Sequence, residues 1–122
     1  MYNILALGFC GLYAILNVIA ASIIKFKLQV FKIDNFKSFL YFFEDIRIIF
    51  AVCLIMCSMY CSMKALSIAV FSYVVPMMTA FNFILTVVIG IIVFKDHLTV
   101  TGYSGIFLIL LGILILSISY GR

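Results

Sequence analysis

The spacing of charged residues constrains this chain more than any other feature. Stretches without Lys, Arg, Asp, Glu or His cover Met1–Ile24, Ile48–Met63, Ala65–Phe94 and Leu98–Gly121, which are 24, 16, 30 and 24 residues long. A bilayer core of about 30 Å needs about 20 apolar residues at a helical rise of about 1.5 Å each. Three stretches are long enough alone, and the second becomes so if its helix starts before Arg47. Four membrane spans are therefore expected, near residues 3–24, 43–64, 70–94 and 98–119, with residues 25 to about 42 forming the long connection. The whole of 1–122 is read as one four-helix transmembrane domain.

Composition excludes the alternatives. Apolar residues make up 68% of the chain and charged residues 10%, with a mean hydropathy of +1.40. Soluble domains sit near about 45–50% apolar and 25% charged, and a chain this short has too much surface to hide such an excess from water. Disorder needs the opposite balance. No alternation of about ten residues recurs as a β-barrel would require. The expected fold is an all-α membrane bundle. The first span is expected to stay in place rather than act as a cleaved signal. Met1-Tyr2-Asn3 has no basic side chain, and the apolar stretch exceeds the usual 7–15 or so residues.

Basic residues are unevenly divided between the two faces. Lys25, Lys27, Lys32, Lys37, Arg47 and Lys95 fall on one, Lys64 and Arg122 on the other. The positive-inside rule puts the first group in the cytoplasm and both termini outside. The net charge of +4 then reflects topology and contact with anionic lipid. There is no water-facing basic domain for nucleic acid. Tyr2 and Tyr120 at one face, and Tyr41 and Tyr103 near the other, match an aromatic belt. Within the long connection, Asp34 or Asn35 can cap a helix. Phe36, Phe39, Leu40 and Phe43 follow at helical spacing, opposite Lys37, Tyr41, Glu44 and Asp45. This predicts an interfacial amphipathic turn running into the second span.

Polar and small residues mark the bundle interior. Cys10, Gly11, Ala14, Asn17 and Ala21 share a face of the first span. Ser72, Pro76, Thr79, Asn82, Thr86 and Gly90 share a face of the third. Such stripes let helices approach closely or line a polar path. Pro76, inside the third span, removes a backbone donor and predicts a kink. Gly105 and Gly112, a heptad apart, predict a contact face on the fourth span, used across a dimer. Cys53, Cys57 and Cys61, among Met56, Met59 and Met63, are read as packing residues, with no metal site or disulfide. Asp96 and His97 are read as a solvated turn. No nucleophile–base pair, phosphate-cradling loop or intramembrane carboxylate is present, so neither catalysis nor a cofactor is expected.

Several of these residues carry a family resemblance. They are Ala65-Leu66 before the third span, the turn Phe94-Lys95-Asp96-His97-Leu98-Thr99, and Gly105-Ile106-x-Leu108-x-x-x-Gly112-Ile113-Leu114. Together with Asn17-Val18-Ile19 followed by Lys25, they resemble the drug/metabolite transporter superfamily, and its four-helix small multidrug resistance branch in size. Drug-exporting members have glutamate where Asn17 stands, and the turn commonly has glutamate where Asp96 stands. A second small branch lacks the membrane glutamate and is similar to this chain at Phe81-Asn82-Phe83. It comprises paired subunits proposed to translocate aminoarabinose linked to undecaprenyl phosphate.

The resemblance implies a flippase subunit for a polyprenyl-phosphate-linked sugar in a bacterial inner membrane, working as a homodimer or with a related subunit. Asn17, Thr79, Asn82 and Thr86 are then candidates for the polar walls of the path. Lys25 and Arg47 are candidates for holding phosphate, and Glu44 or Asp45 for attracting an amino group. An exporter of small metabolites or lipophilic cations, and a non-transporting helper subunit, are the alternatives.

The charge asymmetry makes a testable statement. With the four native cysteines replaced, single cysteines placed within residues 28–36 will be labelled by an impermeant thiol reagent only from the cytoplasmic side. Labelling from outside in most copies would reverse the orientation.

Overall fold

Residues 2–120 are described in a computed structural model, with side chains from Ile4 to Ser119. The expectations for the Tyr2 and Tyr120 side chains and for Arg122 fall outside the described residues. Among the described residues five helices follow in order: α1 (Tyr2–Val30), α2 (Phe36–Phe43), α3 (Ile46–Ile68), α4 (Phe71–Ile92) and α5 (Val100–Tyr120). All except α2 are long and apolar enough to span a bilayer. The chain is an all-α, four-span bundle and a multi-pass membrane protein.

Its packing follows from hydrocarbon as solvent. Lipid tails are as apolar as leucine, so burying a large side chain gains little, whereas close backbone approach gains dispersion contacts. The interior is accordingly built mostly from small residues: Ala6, Cys10, Ala14, Val18 and Ala20 of α1, and Ala51, Ser58, Cys61 and Ala65 of α3, with Ile48 of α3 the largest side chain fully buried. Large side chains such as Ile4, Phe50, Phe107 and Leu108 point outward. α1 is the hub, packed against α3 most extensively and then against α4, while among the described residues α5 touches α4 alone. Cys10, Ala65, Val74 and Met78 join the three central helices. The buried face of α4 is Val74 and Met78; of the polar stripe, Thr79 and Thr86 are exposed beside that face, while Asn82 reaches α1. α4 runs unbroken through Pro76.

Two boundaries differ from the sequence expectation. α1 does not end at Lys25 but continues to Val30. At about 1.5 Å per residue its 29 residues exceed the hydrocarbon thickness. No glycine or proline interrupts residues 25–30, and a helix leaving the membrane keeps its backbone bonds. Residues 25–42 are thus mostly helical rather than a long loop. α2 also does not run into the second span. Asp45 has extended backbone angles, and its carboxylate accepts a hydrogen bond from the Arg47 N–H at 2.9 Å, so a new helix starts there. Asn35 holds the N-cap position of α2 without a side-chain bond. α2 buries Phe42, near the Phe31 ring, and leaves Phe36, Phe39, Leu40 and Phe43 exposed.

The Lys27 ammonium, hydrogen-bonded to the other Asp45 oxygen, ties the protruding turn of α1 to the start of α3. This bond first, and the Arg47 N–H second, hold the Asp45 carboxyl below its ordinary value. A depressed native pKa means the pair's stabilisation is present above the unfolded value, about 3.9, and is lost as pH falls through the native one. Asp45→Asn will lower the thermal midpoint of the purified protein at neutral pH. The gap from wild type will close on acidification below about pH 4. A gap independent of pH in thermal scans would show that the charge is not what stabilises.

Candidate functional site

Several polar groups of this chain meet in a seam between α1 and α4. Near the middle of the two helices, Asn17 Nδ2 donates to Asn82 Oδ1 at 3.0 Å, both side chains being half-buried. An amide carries both donors and acceptors, so two of them can satisfy each other where water is excluded. Ser22 Oγ donates to the Val18 carbonyl and Thr86 Oγ1 to the Asn82 carbonyl, each at 2.7 Å. Thr79 makes the same bond to Val75 at 2.8 Å. These back-bonds spare the hydroxyl hydrogens from hydrocarbon.

At the basic face the seam opens into a crevice of about 100 Å³, lined among others by Ser22, Lys25, Thr86, Gly90, Phe94 and Asp96. Lys25 Nζ pairs with Asp96 Oδ2 at 3.0 Å and lies 4.0 Å from the Phe94 ring centroid. Phe26 packs on that ring from α1, with centroids 4.7 Å apart. The turn is built to deliver the carboxylate. Lys95 has φ +52°, a left-handed conformation that costs a residue with a Cβ roughly 1 kcal/mol. Beyond it the Asp96 N–H returns to the Gly90 carbonyl at 3.0 Å. A Cβ on Gly90 would stand 3.1 Å from Asp96 Oδ2, so the glycine lets the carboxylate come in against α4. Thr99 Oγ1 then accepts from the Gly102 N–H at 3.3 Å and caps α5.

The expected site residues separate into groups. Asn17 and Asn82 are in direct contact, and Thr86 lies a turn away beside Lys25. Thr79 is exposed. Lys25 and Arg47, both expected to hold phosphate, line different crevices: Arg47 borders one of about 430 Å³ with Ile23, Phe26, Lys27 and Val30. Lys25 and Lys27 lie on opposite sides of α1, because two helical residues turn by about 200°. Asp45 is engaged as a cap and by Lys27. Glu44 is exposed and, among the described residues, has no ion pair. Gly105 and Gly112 have no neighbour within 4 Å of an added Cβ, so among the described residues this face of α5 is not packed.

Asp96, expected in a solvated turn, is exposed there and is also half of an ion pair that joins the α4–α5 turn to α1. Its signal was available in the topology: the end of the first span and the turn between the third and fourth share one membrane face, and Lys25 and Asp96 carry opposite charges there.

The amide pair yields a prediction. In a double-mutant cycle with Asn17→Leu and Asn82→Leu, unfolding in detergent micelles will show a coupling of about 0.6 kcal/mol, within an upper bound near 1.7. Additive effects would mean the bond contributes nothing beyond packing. Comparisons of the chain with family models, with curated proteins and with solved structures give no match.

Proposed function

We propose that the chain is one subunit of a dimeric translocase that passes a polyprenyl-phosphate-linked sugar across a bacterial inner membrane, with both termini on the outer side. The protein performs no bond chemistry; it lowers the barrier to moving a polar headgroup through hydrocarbon. The observation that carries this reading is the α1–α4 seam, with an amide pair at mid-span, hydroxyls above it and an ion pair at its mouth. Isolated polar groups at such depth are costly, and as a continuous series they fit a path.

The lipid part of the substrate has separate support. The second crevice joins the apolar walls Ile23, Phe26 and Val30 to Arg47 and Lys27. Among the described residues, the Arg47 side chain makes no hydrogen bond or ion pair. A guanidinium offers phosphate two parallel donors while an isoprenoid tail lies along the wall. Four helices enclose little room, and transport sites commonly lie between repeats. The open Gly105/Gly112 face of α5 supports a dimer with a second copy or a related subunit. The runner-up is export of small organic cations, favoured by the Asp96 carboxylate at the mouth of the seam.

Reconstitution tests these readings together. Proteoliposomes holding undecaprenyl-phosphate-linked sugars will show headgroup translocation above protein-free vesicles. At equal abundance, Arg47→Lys will slow it about tenfold, as loss of one of two parallel donors implies. Lys37→Ala will leave it near wild type, and Gly112→Leu will reduce both association and rate. No translocation above protein-free vesicles rejects the flippase reading, and uptake of small cations instead favours the runner-up.

A further inference from the structure

The crevice at the mouth of the α1–α4 seam is polar in one sense only. Ser22 and Thr86 have given their hydroxyl hydrogens to backbone carbonyls, so each turns only lone pairs to a further partner. Asp96 contributes a carboxylate, Phe94 a π face, and the C-terminal end of α4 the negative pole of its dipole. The single cation among the lining residues is Lys25, whose ammonium lies between the carboxylate at 3.0 Å and the ring at 4.0 Å. Without Lys25 the crevice would hold acceptors alone.

From this we propose that Asp96, Phe94, Ser22 and Thr86 form a binding site for a primary ammonium group, and that Lys25 is its intramolecular occupant. A ligand's ammonium displaces Lys25 Nζ, donating to the Asp96 carboxylate while resting on the Phe94 ring. The volume of about 100 Å³ admits the ammonium and a carbon or two, not a whole sugar or a bulky quaternary ion. Displacement is easy because the Lys25 and Asp96 side chains are 44% and 51% exposed, and pairs this open contribute little net stability. The backbone strain at Lys95 and the cradle at Gly90 hold the carboxylate in place whichever cation is bound. For the ligand's identity the inference rests on the transport reading: an amino group on the translocated sugar would be read here, rather than at Asp45, which is already capped and paired.

The test uses the full chain in lipid nanodiscs with ¹³C-labelled aspartate carboxyls, giving signals from Asp34, Asp45 and Asp96. Ethylammonium is the probe and tetramethylammonium the control, equal in charge but unable to donate. Ethylammonium will shift the Asp96 signal saturably and the exposed Asp34 signal only in proportion to added salt. Lys25→Met, which keeps the apolar stem, will tighten binding about tenfold, as expected if the occupant leaves the site open about a tenth of the time. Lys25→Arg, a stronger partner for carboxylate, will bind no more tightly than wild type. The proposal is overturned if Asp96 responds no differently from Asp34, if tetramethylammonium matches ethylammonium, or if a folded Lys25→Met binds as wild type does. Should Lys25→Met not fold, tighter binding by Lys25→Arg overturns it equally. No translocation is measured here, so saturable binding beside inactive proteoliposomes removes the flippase reading alone. Active proteoliposomes beside an unresponsive Asp96 remove this site alone.

Discussion

Everything in this structure depends on how closely α1 can approach α3 and α4. In a solvent of hydrocarbon, side-chain bulk is no longer a source of cohesion, and every backbone group must be satisfied within its own helix. What remains is contact between helix surfaces, and alanine, cysteine and serine make those surfaces flat. The series Ala6, Cys10, Ala14 and Val18 along α1, with Ala51, Ser58, Cys61 and Ala65 on α3, supplies that contact. A larger residue in either series would push the helices apart and with them the partners of the polar groups further along.

The polar interactions are secondary to this packing but set its details. Asn17 and Asn82 meet only because α1 and α4 are rotated to face each other there, and the bond in turn resists rotation of either helix. At the basic face two ion pairs spread from α1 in opposite directions, Lys25 to the α4–α5 turn and Lys27 to the start of α3. The last turns of α1 thereby clasp both of its neighbours at the basic face. Two lysines separated by one residue serve two different interfaces because helical geometry sends them to opposite sides.

The spans, their number and the charge asymmetry were legible because each depends on one segment at a time. Helix ends were less so. The charge at Lys25 ends the apolar stretch, but a helix ends where its backbone is broken or capped, and that occurs at Val30 and again at Asp45. Of the candidate site residues, Asn17 and Asn82 were recognisable singly as polar groups in apolar helices; their contact depends on the rotation of two helices. The partners of Lys25 and Lys27 were hidden for the same reason, since an ion pair across 71 residues leaves no local pattern. Asp96 in particular looks like any turn acid until the reversal at Lys95 and the open space at Gly90 are seen together.

The attachment of α5 has a consequence for how the molecule comes apart. α1, α3 and α4 support one another as a closed trio, whereas α5 meets only α4 and has no fully buried residue among those described. Its lateral separation breaks one helix–helix contact and leaves the trio's small-residue core unopened. Local opening therefore has a natural fault line along α4. Because the α4–α5 turn also carries Asp96, peeling at that line pulls on the ion pair with Lys25, so the loosest joint in the fold is mechanically linked to the mouth of its polar seam.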